Sequence, residues 1–172
     1  GVGDEEWVDY EFSGRMRIEQ TNLLAGCNLP SWLGLGVRGT NPDGIYNVMD
    51  FGIWSDGGAW TAGGWEWFHR GNVGGGNCAR PVIIAEQTWY EFVIVVDGTT
   101  VSLSIDGEES CAAAFLDPAS GGIAFLARNV EAWFDDVVVS GDGVRNADLA
   151  VDAADRLPTR WGALKRASGA LR

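Results

Sequence analysis

Apolar and polar residues alternate along this chain in short runs, with β-branched and aromatic side chains at the apolar positions and clusters of Gly, Asn and Asp between the runs. A period of two is the mark of half-buried strands, because successive side chains point to opposite faces. The pattern predicts strands over 8–20, 33–38, 46–54, 66–70, 82–85, 90–96, 101–105, 122–127 and 132–139. Helical periodicity is nearly absent before residue 147, so the body reads as an antiparallel β-sandwich. The clearest unit is "VVDGTTVSLSIDGEE" (95–109), where Asp97-Gly98 supplies a turn between two runs that can pair as a hairpin. The glycine-rich stretches "SDGGAWTAGG" (55–64) and "GNVGGGNC" (71–78) read as turn-rich loops on one edge.

After Ser140 the alternation stops and Ala, Leu and Arg take over, which divides the chain into a body, 1–140, and an appendage, 141–172. Pro158 suits the first turn of a short helix, and Trp161, Leu164, Ser168 and Leu171 then fall on one face. Gly162 and Gly169 each weaken such a helix by about 1 kcal/mol relative to Ala, so it needs a surface to fold against.

Charge sharpens this division. Residues 1–155 carry 24 acids against 7 basic residues, a net −17, whereas 156–172 carry 5 basic residues and no acid. The acidic body repels phosphate backbones and anionic membranes, which argues against nucleic acid as a partner. No apolar run approaches the roughly 20 residues of a membrane helix, so membrane insertion is not expected either. A basic tail carrying Arg160, Trp161, Leu164, Lys165 and Arg166 can instead dock on an acidic body, its own or a neighbour's. The sequence opens on Gly1, as after removal of a signal peptide or in an expressed fragment. Cys27, Cys78 and Cys111 lack metal-ligand spacing and predict one disulfide and one remaining thiol, with the pair left open. A secreted or cell-surface protein is the expectation.

Candidate chemistry centres on tryptophan. Of nine, Trp54, Trp60, Trp65 and Trp67 lie within one stretch of 18 residues. Exposed indoles stack on the apolar faces of sugar rings, and Trp60, set between glycine-rich turns, is expected to be the most exposed. Packing inside the sandwich is the competing expectation for Trp65, Trp67 and Trp89. Catalytic signals are weak. The single histidine, His69, has no nucleophile motif to serve, and the module reads as non-catalytic, with a glycoside-active enzyme the less favoured alternative.

Four segments in order, "GLGVRGTNPDGIYNVMDFGI" (34–53), "TWYEFVIVVDGTTVSLSIDGEE" (88–109), "GGIAFLA" (121–127) and "WFDDVVVS" (133–140), resemble the strands of concanavalin A-like, laminin-G-like jelly rolls. The resemblance spans roughly residues 8–140 and implies an all-β, two-sheet jelly-roll sandwich with the appendage outside it. It implies that Arg38 ends a strand bordering a concave sheet, where Asp50, Glu66 and Arg70 can join it in a polar groove. Trp54, Trp60, Trp65, Arg38, Asp50 and Arg70 are thus the candidate carbohydrate ligands. Strict alternation places Asp135 and Asp136 on opposite faces, so one of them must face inward. Sugar-binding relatives of this fold use an acid in the last strand to hold a structural Ca²⁺, which here implicates Asp135 or Asp136 with Asp4 and Glu5. The alternative is a carboxylate paired with Arg15 or Arg17 across the sheet. Two functions follow: an adhesion module that binds extracellular or cell-surface carbohydrate, or a structural subunit that self-assembles through its tail.

Overall fold

The computed structural model describes residues 6–21, 31–40, 47–55, 60–69, 72–114, 119–142 and 144. Among the described residues ten strands follow in order: β1 Tyr10–Thr21, β2 Trp32–Thr40, β3 Asn47–Ser55, β4 Trp60–His69, β5 Asn72–Ile84, β6 Tyr90–Asp97, β7 Thr100–Ile105, β8 Glu108–Ala114, β9 Gly122–Arg128 and β10 Val130–Ser140. They form two antiparallel five-stranded sheets, ordered β10-β1-β6-β7-β8 and β5-β4-β3-β2-β9. The jelly-roll β-sandwich expected from the sequence is the architecture found. The candidate appendage helix, with Arg160, Trp161, Leu164, Lys165 and Arg166, lies outside the described residues.

Alternation decides the core. Phe12, Met16 and Ile18 of β1 and Phe92, Ile94 and Val96 of β6 face Leu33, Leu35 and Val37 of β2 and Met49, Phe51 and Ile53 of β3, all buried. Removing this apolar surface from water is the main stabilising term of the sandwich. At one side the sheets are joined by the Cys78–Cys111 disulfide between β5 and β8, and Ser110 Oγ donates to the Arg80 carbonyl at 3.0 Å. At the other side Phe125 of β9 stacks on Phe134 of β10, ring centroids 4.0 Å apart. Cys27, the third cysteine, lies outside the described residues.

Two hairpins run as the turn residues dictate. β6 and β7 pair up to Asp97 and Thr100, so the connection is Gly98-Thr99, one residue later than expected, with Gly98 at φ 53°. β7 turns into β8 through Asp106-Gly107, both at positive φ, as a twist-matched two-residue hairpin requires.

The main departures lie in glycine-rich sequence. β4 begins at Trp60 and β5 at Asn72, so "WTAGG" and "NVGGGNC" are strand rather than loop. The glycines are there because indoles lie over them: a Cβ on Gly74 would fall 2.5 Å from the Trp67 ring, and one on Gly76 would fall 3.0 Å from the Trp65 ring. β8, whose apolar residues are only Cys111 and three alanines, carried too little alternation to be recognised.

Candidate functional site

The sheet β5-β4-β3-β2-β9 turns one face to the core, and its other face carries the candidate site. On β3 the core takes Met49, Phe51 and Ile53, which leaves Val48, Asp50, Gly52 and Trp54 on the outer face. Register then assembles rows across strands. Trp32 lies opposite Trp54; Gly34, Gly52 and Gly64 form the next row; Gly36, Asp50, Glu66 and Gly75 form the one after.

The glycine row is a floor for the two indoles. A Cβ on Gly52 would fall 2.2 Å from Cζ3 of Trp54, and one on Gly64 would fall 2.4 Å from its Cη2. The Trp54 ring therefore lies across β3 and β4, half-buried. Trp32 lies over the other end: a Cβ on Gly34 would fall 2.9 Å from its Cη2, and the Gly52 position is 3.1 Å from its Nε1.

Asp50 sits beside these rings with no solvent exposure, and neither of its carboxylate oxygens has a hydrogen-bond partner. Burial, followed by the charge of Glu66 across the strand pair, pushes its carboxyl up to about 8. The Trp32 indole N–H is likewise buried with no acceptor. A native fold seldom leaves such groups unpaired, because an unsatisfied buried polar atom costs about 1–3 kcal/mol. Here an unused donor and an unused acceptor lie on one face, both beside the position a Gly34 or Gly52 side chain would occupy.

Of the six carbohydrate candidates, Trp54 and Asp50 come together in this groove. Trp60 does not: it is 2% exposed, faces the core, and its Nε1 donates to Glu86 Oε1 at 3.1 Å. The register of β4 explains the reversal, since Trp60 and Ala62 stand on the same side as the buried Ile53. Trp65 and Trp67 also point coreward, partly buried against the core cluster. Arg70 lies outside the described residues.

Arg38 is buried, 1% exposed, and is not a groove residue. Simple alternation would put it outward with Gly34 and Gly36. A register irregularity after Val37 and a φ of 52° at Arg38 turn it inward. Its guanidinium donates to the Gly98 carbonyl and its backbone N–H donates to Tyr10 Oη at 2.8 Å, tying β2 to the opposite sheet. Burial lowers the Arg38 pKa and pushes the Tyr10 phenol up to about 12.

Asp135 and Asp136 both face solvent. Between Arg15↔Asp135 and Ser13↔Val138 the register slips, so Gly14 alone faces two residues of β10, and Asp136 takes φ 51°. The extra residue breaks alternation, and one guanidinium nitrogen, Arg15 Nη2, reaches both carboxylates at 2.7 and 2.8 Å. No acid has to face inward here, contrary to the alternation argument. Asp4 and Glu5 lie outside the described residues, and among the described residues no three His, Cys, Asp or Glu side chains gather as a metal site. The same face carries Arg17 beneath Trp89 and Trp133, 5.9 and 5.3 Å from the ring centroids.

Trp32 was not among the sequence candidates. The signal was present in the spacing: Trp32-x-Gly34 and Gly52-x-Trp54 place an indole two residues from a glycine on the same face.

No protein-family model matches the sequence, and no curated protein matches it. The fold does match solved structures. The carbohydrate-binding module CBM66 from Bacillus subtilis superposes with a TM-score of 0.60 at 13% identity, over 78% of this chain and 76% of that chain. A human galectin-16 variant gives 0.55 at 14% identity, over 81% and 93%. Sheep galectin-11 in complex with glycerol gives 0.51 at 13% identity, over 77% and 90%. The chain thus has the jelly-roll β-sandwich fold of these structures.

Proposed function

We propose that this domain is a non-catalytic carbohydrate-recognition module working outside the cell, with the outer face of β2, β3 and β4 as its binding surface. The carrying observation is the groove itself: two cross-strand indoles laid on three glycines, beside a buried carboxylate that has no partner. An indole held flat on glycine backbone turns its other face outward, which suits the apolar face of a sugar ring, and carboxylates beside it accept from sugar hydroxyls. The match to a carbohydrate-binding module and to galectins supports the same reading at the level of fold. The Cys78–Cys111 disulfide fits an oxidising compartment.

A panel of soluble glycans and insoluble polysaccharides tests it. Binding that is lost in Trp54→Ala with the fold intact supports the groove; absence of binding to every glycan rejects the function. The charge split between the acidic body and the basic residues 156–172 favours self-association through the tail as the second reading. Deletion of 156–172 separates the two, because a lectin keeps its ligand while an assembling subunit becomes monomeric.

A further inference from the structure

We propose that Trp32 and Asp50 form a subsite for one hydroxyl of an uncharged sugar, with Trp32 Nε1–H donating to the hydroxyl oxygen and the hydroxyl donating to the Asp50 carboxyl. This rests on the carbohydrate reading and names the part of the ligand the groove selects. Both groups are buried, both lack a partner, and both lie over the adjoining Gly34 and Gly52 of the cross-strand row. A hydroxyl is the small group that can accept from an N–H and donate to a carboxyl at once. An ammonium has no lone pair for Trp32, and an apolar group answers neither partner.

Charge adds a second filter. Glu66 stands next to Asp50 in the same row, and residues 1–155 carry a net −17. Among the described outer-face residues in register with the groove, the one base is Arg128, opposite Trp32 at the β9 edge. A uronate or sulfated sugar brought into this groove meets the Glu66 carboxylate beside Asp50, at a site partly shielded from water, where like-charge contacts are less screened. The groove thus discriminates by pairing a hydroxyl and by rejecting an anion.

Entry requires a movement. The Trp32 ring end and Asp50 Oδ1 flank the same point above Gly34, at 2.9 and 3.1 Å. The subsite requires the Trp32 indole to lift off Gly34 so that a hydroxyl can reach both polar atoms. The ring stands at the head of β2, opposite Trp54 on one side and Arg128 on the other.

The test uses the full chain, a panel of neutral hexose, N-acetylhexosamine and fructose oligosaccharides with uronate and sulfated counterparts, and calorimetric titration of the best neutral binder. Trp32→Phe keeps the ring and removes the N–H; Asp50→Leu removes the acceptor at similar volume; Asp50→Asn keeps an acceptor. Trp32→Phe and Asp50→Leu are each expected to weaken binding about tenfold, with the double variant little weaker than either, because both groups hold one hydroxyl. Asp50→Asn is expected to stay within about threefold of wild type, and anionic counterparts to bind at least tenfold more weakly than neutral ones. If Trp32→Phe and Asp50→Leu bind as wild type while Trp54→Ala does not, the groove stands and the hydroxyl subsite falls. Preference for an anionic glycan likewise overturns the subsite. If Trp54→Ala also binds as wild type, or nothing binds, the carbohydrate reading itself is lost.

Discussion

Asp50 and Glu66 face each other across β3 and β4, and Asp50 is the one shut off from water. Its folded-state carboxyl sits at about 8 against an ordinary 3.8, so between those values the folded chain holds a proton that the unfolded chain has released. Stability therefore falls as pH rises through that window. Asp50→Asn removes the titrating group, and its Tm is expected to exceed that of wild type at pH 8 and to vary less from pH 4 to 8. An unchanged slope in the variant would assign the pH dependence to other groups.

Gly52 is the centre of the indole floor. Gly52→Ala places a methyl within 2.2 Å of the Trp54 ring and 3.1 Å of Trp32 Nε1, all side-chain atoms that can shift. The fold is expected to survive with a change in tryptophan fluorescence, and glycan affinity to fall at least about tenfold. Retained affinity would place the ligand elsewhere.

Trp60 separates core from site. Trp60→Ala opens a cavity in the sandwich and is expected to cost about 3–5 kcal/mol in chemical denaturation, the range for a buried aromatic. A loss of binding without that destabilisation would contradict its place in the core.

Arg15 is the cation that Asp135 and Asp136 share. The pair is exposed, with 39% of the Arg15 side chain in solvent, so Arg15→Ala is expected to lower stability by about 1 kcal/mol at most, and less in high salt. The same melts with calcium and with chelator carry the metal question. An equal Tm in both is the outcome expected of an arginine-held pair, and a rise with calcium would return the two acids to a metal shared with Asp4 and Glu5.

The Cys78–Cys111 bridge joins strands of opposite sheets across a separation of 33 residues. Reduction, or replacement of both cysteines by alanine, is expected to cost about 2–4 kcal/mol, read from the denaturant midpoint. No change on reduction would mean that β5 and β8 hold the edge without it.

The sequence by itself determined the all-β class, the β6–β7 hairpin and most of the core strands, because a period of two is a local property that each strand carries in its own residues. Within β3 that period already placed Asp50 and Trp54 on one face. It failed where alternation is broken. The irregularity after Val37 sends Arg38 inward, and the bulge opposite Gly14 sends both Asp135 and Asp136 outward. Glycine-rich β5 looked like loop because its strand character is supplied by the Trp65 and Trp67 rings of β4. Only the tertiary structure decided that Trp32 stands opposite Trp54, that Trp60 is core, and that Asp50 is left without a partner. Those facts depend on which strands pair and in what register, and a register is set by hydrogen bonds and packing between segments far apart in the chain.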